Sequence, residues 1–250
     1  WKLIEQAGFK NRNIDLMSAL PGQTIESYED TLSKVLALEP EHISAYSLIL
    51  EEGTVFYDWY EKGKLDRGAW KLPSEEEEYA MGELTILRLA EAGMHRYEIS
   101  NYAKGGKACI HNIGYWTEVA YLGIGLGASS YMEGCRFTNE RDLDKYLALD
   151  FGSEVPEERE AALKKLWGPI EELTQAQRME EFMFLGLRML RGVSDVDFIR
   201  LFGVKMETVY GDVIARLISN GLLKKEGSSL ALTEWGMDVS NFVLSEFLLG

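Results

Sequence analysis

The chain opens on an apolar spacing, Leu3, Ile4 and Ala7 followed by Gly8, the pattern of the last turns of an amphipathic helix and its glycine stop. "NIDLMSALPGQT" then reads as a short apolar strand running into a Pro-Gly turn. In "IESYEDTLSKVLALEP", Ile25, Tyr28, Leu32, Val35 and Leu36 recur at helical spacing until Pro40 stops the pattern. "HISAYSLIL" is a continuous β-prone run, suited to a strand buried on both faces. The next stretch, rich in aromatics (Phe56, Tyr57, Trp59, Tyr60, Trp70), reads as a loop. Ser74 with Glu77 forms a capping box that opens a helix ending at Gly93, and "HRYEIS" reads as a further strand.

Helix and strand alternate through this part. That order predicts an α/β fold with a parallel sheet, either a barrel or an open sheet, flanked by helices. Ligands in such folds sit beyond the C-terminal ends of the strands, here Ser18 to Gln23, Leu48 to Gly53 and Ser100 to Tyr102. The stretch from Asp150 to Leu173 is acidic and reads as irregular, so the expected domains are 1–150 and 151–250. Beyond it, Thr174 and Gln177 cap "QAQRMEEFMFLGLRML". A short helix "DVDFIRLF" stops at Gly203, and a third, "KMETVYGDVIARLISNG", stops at Asn220-Gly221. "LLKKEGSSLALT" reads as a hairpin turning at Gly227 to Ser229, and a last helix runs to the C-terminus. Three helices and a hairpin make a winged-helix organisation.

Charge narrows the function classes. With 26 Lys and Arg against 41 Asp and Glu, the chain carries −15, which opposes nucleic-acid and anionic-membrane binding. The third helix sets Lys205 and Arg216 against Glu207 and Asp212, and the hairpin's Lys224 and Lys225 are followed by Glu226. A structural or docking role for this end domain is therefore expected rather than DNA reading. No apolar run reaches the ~20 residues of a membrane-spanning helix, so no integral membrane segment is expected. Two cysteines, Cys109 and Cys135, are too few for a disulfide framework or a cysteine-ligated cluster, and suit a cytoplasmic protein. A chain that opens inside a helix, without Met, is expected to be a fragment, with a trimmed, flexible N-terminus as the alternative.

One run does not read as ordinary core: "HNIGYWTEVAYLGIGLGASSY", His111 to Tyr131. His111 is either a metal or heme ligand or a satisfied structural histidine. Tyr115 and Trp116 are either core or the wall of a cofactor site. "GIGLG" lacks the spacing of a dinucleotide fingerprint. Alternating glycines on a strand would clear one face for a flat ligand, or permit tight packing against another backbone.

Taken in order, "IDLMSALPGQT", "YEISNYA", "HNIGYW" and "YLGIGLGASSY" resemble the oxygen-independent coproporphyrinogen III oxidase family of radical S-adenosylmethionine (SAM) proteins. The likeness is strongest to the heme-chaperone branch, marked by H-N-x-x-Y-W, which stands here as His111, Asn112, Tyr115 and Trp116. It covers nearly the whole chain. It implies the last strands of a partial (β/α) radical SAM barrel followed by a small winged-helix-like α+β end domain. It also implies, for the full-length protein, a [4Fe-4S] cluster on C-x-x-x-C-x-x-C, SAM and heme. The chaperone branch implies binding heme or another tetrapyrrole and passing it to a heme-accepting protein. The oxidase branch implies decarboxylation of propionates to vinyls. By resemblance, Asp15, Ile49 and Ser129 would contact SAM. His111, Asn112, Tyr115 and Trp116 would contact heme, with His111 on the iron. The cysteine motif and the early glycine-rich SAM motif are absent, and Ile110 stands where arginine often precedes the chaperone motif. The chain is thus expected to be a C-terminal portion that holds no cluster and cleaves no SAM alone.

Overall fold

A computed structural model describes residues 1–249. They form two compact units, Trp1–Ile110 and His111–Gly250. This division precedes the boundary read near residue 150. Cys135, Arg136 and Asn139 pair with Glu172, Glu171 and Trp167, and Tyr121 pairs with Tyr131, so this stretch folds with the C-terminal part of the chain.

The first unit contains α1 (Lys2–Gln6), β1 (Asn13–Ser18), α2 (Ile25–Leu36), β2 (His42–Ser47), α3 (Val55–Glu61), α4 (Glu75–Glu91), β3 (His95–Arg96) and β4 (Asn101–Ala103). Its sheet runs β1-β2-β4-β3. β1 and β2 are parallel, Asn13 beside His42 and Asp15 beside Ser44, as the alternation predicts. β4 is antiparallel to both β2 and β3, so the sheet is mixed. The physical reason lies inside "HRYEIS". The buried Glu98 accepts hydrogen bonds from the Ser100 backbone N–H (2.8 Å) and from Asn101 Nδ2 (2.5 Å). This turns the expected single strand back on itself as a hairpin.

Leu16, Ile43 and Tyr102 of the sheet bury against Tyr28 and Leu32 of α2 and Met81 and Leu89 of α4. Burying each large side chain contributes about 1.5–3 kcal/mol. Tyr28 and Thr85 join the two helices by a buried 2.8 Å hydroxyl contact. Along β1 the side chains alternate, so Asn13, Asp15 and Met17 are exposed while Leu16 and Ser18 are buried. The capping box at Ser74 and Glu77 forms as read. The aromatic stretch read as a loop contains α3, whose N-terminus is capped by the Thr54 hydroxyl. β2 is shorter than its apolar run, and buried on both faces only over its first three residues.

The second unit contains all but the first residue of α5 (Ile110–Trp116), with β5 (Ser129–Met132), β6 (Cys135–Thr138), α6 (Leu143–Leu147), α7 (Pro156–Leu166) and β7 (Glu171–Glu172). It continues with α8 (Gln175–Gly186), β8 (Val193–Ser194), α9 (Asp195–Phe202), α10 (Met206–Ser219), β9 (Leu223–Glu226), β10 (Ser229–Leu232), α11 (Glu234–Asp238) and α12 (Ser240–Ser245). β5-β6-β7 form an antiparallel sheet. The stretch read as irregular holds α7, with Pro156 at its first position, where a missing N–H costs nothing. The Thr174–Gln177 capping box and the β9–β10 hairpin form as read. β8 adds a third strand to that hairpin, and the expected last helix is broken at Val239. Phe198, Tyr210 and Phe247 are fully buried in successive edge-to-face contacts, which close the core beneath α8–α10.

Candidate functional site

α5 is one short helix that sets His111 and Tyr115 four residues apart, one above the other. Their rings meet edge to face at 4.7 Å, and Tyr115 meets Tyr121 in the same way at 4.6 Å. His111 is exposed. Around it the run leaves Ile110, Tyr115, Val119, Leu122, Ile124 and Leu126 in solvent, with Ile110 and Ile124 more than four-fifths exposed. Asn112 is half-buried on the same helix. Trp116 lies half-buried under the Arg188 guanidinium, 4.4 Å from its ring centre, and its Nε1 is buried without an acceptor.

The other two histidines differ. His42 is buried, with Nδ1 against Asn13 Oδ1 (2.7 Å) and Nε2 against the Tyr97 hydroxyl (2.8 Å). Both ring nitrogens are used, and burial holds its pKa below the usual range. His95 is exposed at the start of β3.

The glycine run is not a strand. Gly125 and Gly127 adopt positive φ (108° and 65°) in an irregular segment. A Cβ on Gly123 would stand 2.3 Å from the Ser129 carbonyl oxygen. Asn139 Nδ2 donates to the carbonyls of Gly123 (3.2 Å) and Gly125 (2.8 Å). Of the two alternatives for these glycines, tight backbone packing is what Gly123 meets.

Asp15 and Ile49 belong to the first unit, Ser129 to the second. Asp15 is exposed on the open face of β1 and accepts from Asn13 Nδ2 at 2.6 Å. Ile49 lies past the end of β2 and is 70% exposed. Ser129 begins β5 and exchanges a 3.1 Å hydroxyl contact with Thr138. Cys109 and Cys135 are free thiols in different units. Among the described residues no three His, Cys, Asp or Glu side chains gather as a metal-holding group. The thiols present therefore do not fit an iron–sulfur cluster, which needs several cysteine thiolates together.

A group missed in the sequence sits two residues beyond the H-N-x-x-Y-W run. Glu118 adopts φ 55° and lines a pocket of about 190 Å³ with Tyr115, Trp116, Tyr121, Arg136 and Glu181. Burial, with the nearby Glu181 adding to it, pushes the Glu118 carboxyl up to about 7, although Arg178 and Arg136 act against the shift. Glu118 Oε1 is buried without a partner. Glu181 is bound by Arg136 at 2.8 Å, yet burial leaves its pKa raised. Little in the sequence signalled it: Glu181 stands off the face that Met179 and Met183 share, yet all three are buried in α8.

Residues 173–239 match the family model described as the HemN C-terminal domain. The chain is 36% identical to the heme chaperone HemW of Bacillus subtilis over 97% of its own length, and 37% identical to the heme chaperone HemW of Lactococcus lactis over 98%. It spans 60% of the length of each of these relatives. Among solved structures it is similar to coproporphyrinogen III oxidase (HemN) of Escherichia coli, described as a radical SAM enzyme. The TM-score is 0.73 at 18% identity, over 98% of this chain and 56% of that one. The mixed α/β fold is therefore similar to the matching portion of that structure. Over nearly its whole length the chain is thus similar to heme chaperones HemW, and its C-terminal part to the HemN C-terminal domain. No described helix is long and apolar enough to cross a membrane.

Proposed function

We propose that the intact protein binds heme and delivers it to an acceptor, and that the segment from His111 to Trp116 holds the heme. The observation that carries this reading is the exposed imidazole of His111 set among exposed apolar side chains. A flat apolar macrocycle with an open axial position needs such a combination. Tyr115 and Trp116 would give the ring its apolar surface, and Asn112 would orient the imidazole. His42 offers no free nitrogen to compete. The names of the relatives support the chaperone reading over the oxidase alternative.

In the same reading, the first unit corresponds to closing strands of a partial radical SAM barrel. The three helices and hairpin after Leu173 correspond to a winged-helix-like end domain. Asp15, Ile49 and Ser129 would face SAM in the intact protein, whose [4Fe-4S] cluster would be held by residues outside this chain. A cytoplasmic location and a heme-accepting protein partner belong to the same proposal.

The test is a hemin titration of the intact protein. The reading expects a Soret band that His111→Ala weakens or shifts, while His42→Ala and His95→Ala leave it nearly intact. Parent-like hemin binding by all three variants would make the His111 segment structural.

A further inference from the structure

From Ile110 to Cys135 the chain contains no lysine or arginine. The segment that carries His111 thus offers a ligand apolar surface and an imidazole but no cation. A heme carries two carboxylates, and these need positive partners. The same unit contains a cleft of about 820 Å³, within the range of small-molecule sites. The β5–β6 hairpin forms one part of its wall, and the end of α7 forms another.

Three cations line this cleft: Arg136 from β6, Arg141 just beyond β6, and Lys165 from the last turn of α7. Arg136 is committed to Glu181 through Nη2. Arg141 and Lys165 are exposed, and neither forms an ion pair among the described residues. Two acids also line the cleft, Glu140 and Glu171. Glu140 is already turned to the backbone, accepting from the N–H groups of Arg141 and Asp142 at 2.8 Å each. The aromatic wall is Tyr121 and Phe137. Tyr121 is the link to the His111 segment, because its ring touches Tyr115, whose ring touches His111.

We propose that this cleft is the carboxylate-binding part of the tetrapyrrole site, with Arg141 and Lys165 receiving the propionate groups of the ligand. The inference rests on the heme-binding reading of His111 and assigns the half of the ligand which that segment leaves unmatched. Charge-assisted pairing of this kind discriminates a free carboxylate from its ester, which keeps the shape and loses the charge.

The experiment titrates hemin and hemin dimethyl ester into the intact protein, the Arg141→Ala/Lys165→Ala double variant and the His111→Ala variant. Both replaced cations are exposed, so the fold is left in place, and a thermal melt checks this. The double variant should bind hemin about tenfold more weakly, about 1.4 kcal/mol. Its Soret position and its affinity for the ester should stay at the parent's values, and the charge-reversed Arg141→Glu/Lys165→Glu pair should lose more. His111→Ala should instead change the band with both ligands. If His111→Ala alters the band but the double variant binds hemin like the parent, the cleft assignment is overturned and heme binding at His111 stands. Equal weakening for hemin and ester overturns the carboxylate role as well. If no ligand gives a band that depends on His111, the heme-binding reading fails and takes this inference with it.

Discussion

Replacing Glu118 by glutamine should make the second unit lose less stability as pH rises. The Glu118 carboxyl is moved from 4.5 to about 7, first by burial and then by Glu181. The folded protein therefore holds this proton between about pH 4.5 and about pH 7, where the unfolded chain has released it. Stability is fully present below that window and falls as pH rises through it. The shift corresponds to about 3.4 kcal/mol. Solvent screening of the part-exposed side chain brings this to about 2 kcal/mol. The facing groups are Glu181 and Arg178 of α8, Arg136 of β6, and Tyr131 of β5. Glutamine keeps the shape and cannot ionise, so the Glu118→Gln protein should escape this loss. Urea unfolding at about pH 5 and about pH 8 measures the difference. In thermal melts the parent should fall about 6 °C further than the variant between these values. Hydrogen exchange in peptides from 111 to 139 places the effect in the second unit. The Glu181 carboxyl, also raised, remains in both proteins, and so does His42, whose lowered pKa acts in the opposite direction. Only the difference between parent and variant counts. Superimposable pH dependence in the two proteins would refute the reasoning.

Three further outcomes are expected. Gly192→Ala should cost about 3 kcal/mol in a melt of the second unit, because the residue has φ 66° and a Cβ would meet the Leu230 carbonyl oxygen at 1.9 Å. Anaerobic reconstitution of the 250-residue chain with iron and sulfide should leave fewer than about one iron per chain; near-stoichiometric cluster with SAM cleavage would contradict the cysteine argument. Random-sequence duplex DNA should show no submicromolar anisotropy change, since the hairpin's Lys224 is paired to Glu226 at 3.3 Å and the whole chain carries −15.

How much of this protein is legible in its sequence depends on the range over which each signal acts. Ser74 with Glu77, and Thr174 with Gln177, set helix starts through contacts three residues long, and both could be read directly. The helix stops at Gly93 and Gly203 are equally local, since both glycines take the positive φ that the reading asked of them. The direction of β4 was hidden, because it depends on Glu98, a buried carboxylate in a run that otherwise reads as a strand. Pro156 marks the start of α7, but the acidity of the surrounding stretch masked it. The same distinction governs the site. A lone histidine in a sequence is a ligand or a structural residue, and local context cannot decide between them. The decision comes from residues far along the chain. Asn13 and Tyr97 take both nitrogens of His42, 29 and 55 positions away, whereas the ring contact of His111 comes from Tyr115 in its own helix. The motif therefore located the candidate ligand, while the exposure of His111 and the gathering of Arg141 and Lys165 on one cleft are products of the fold.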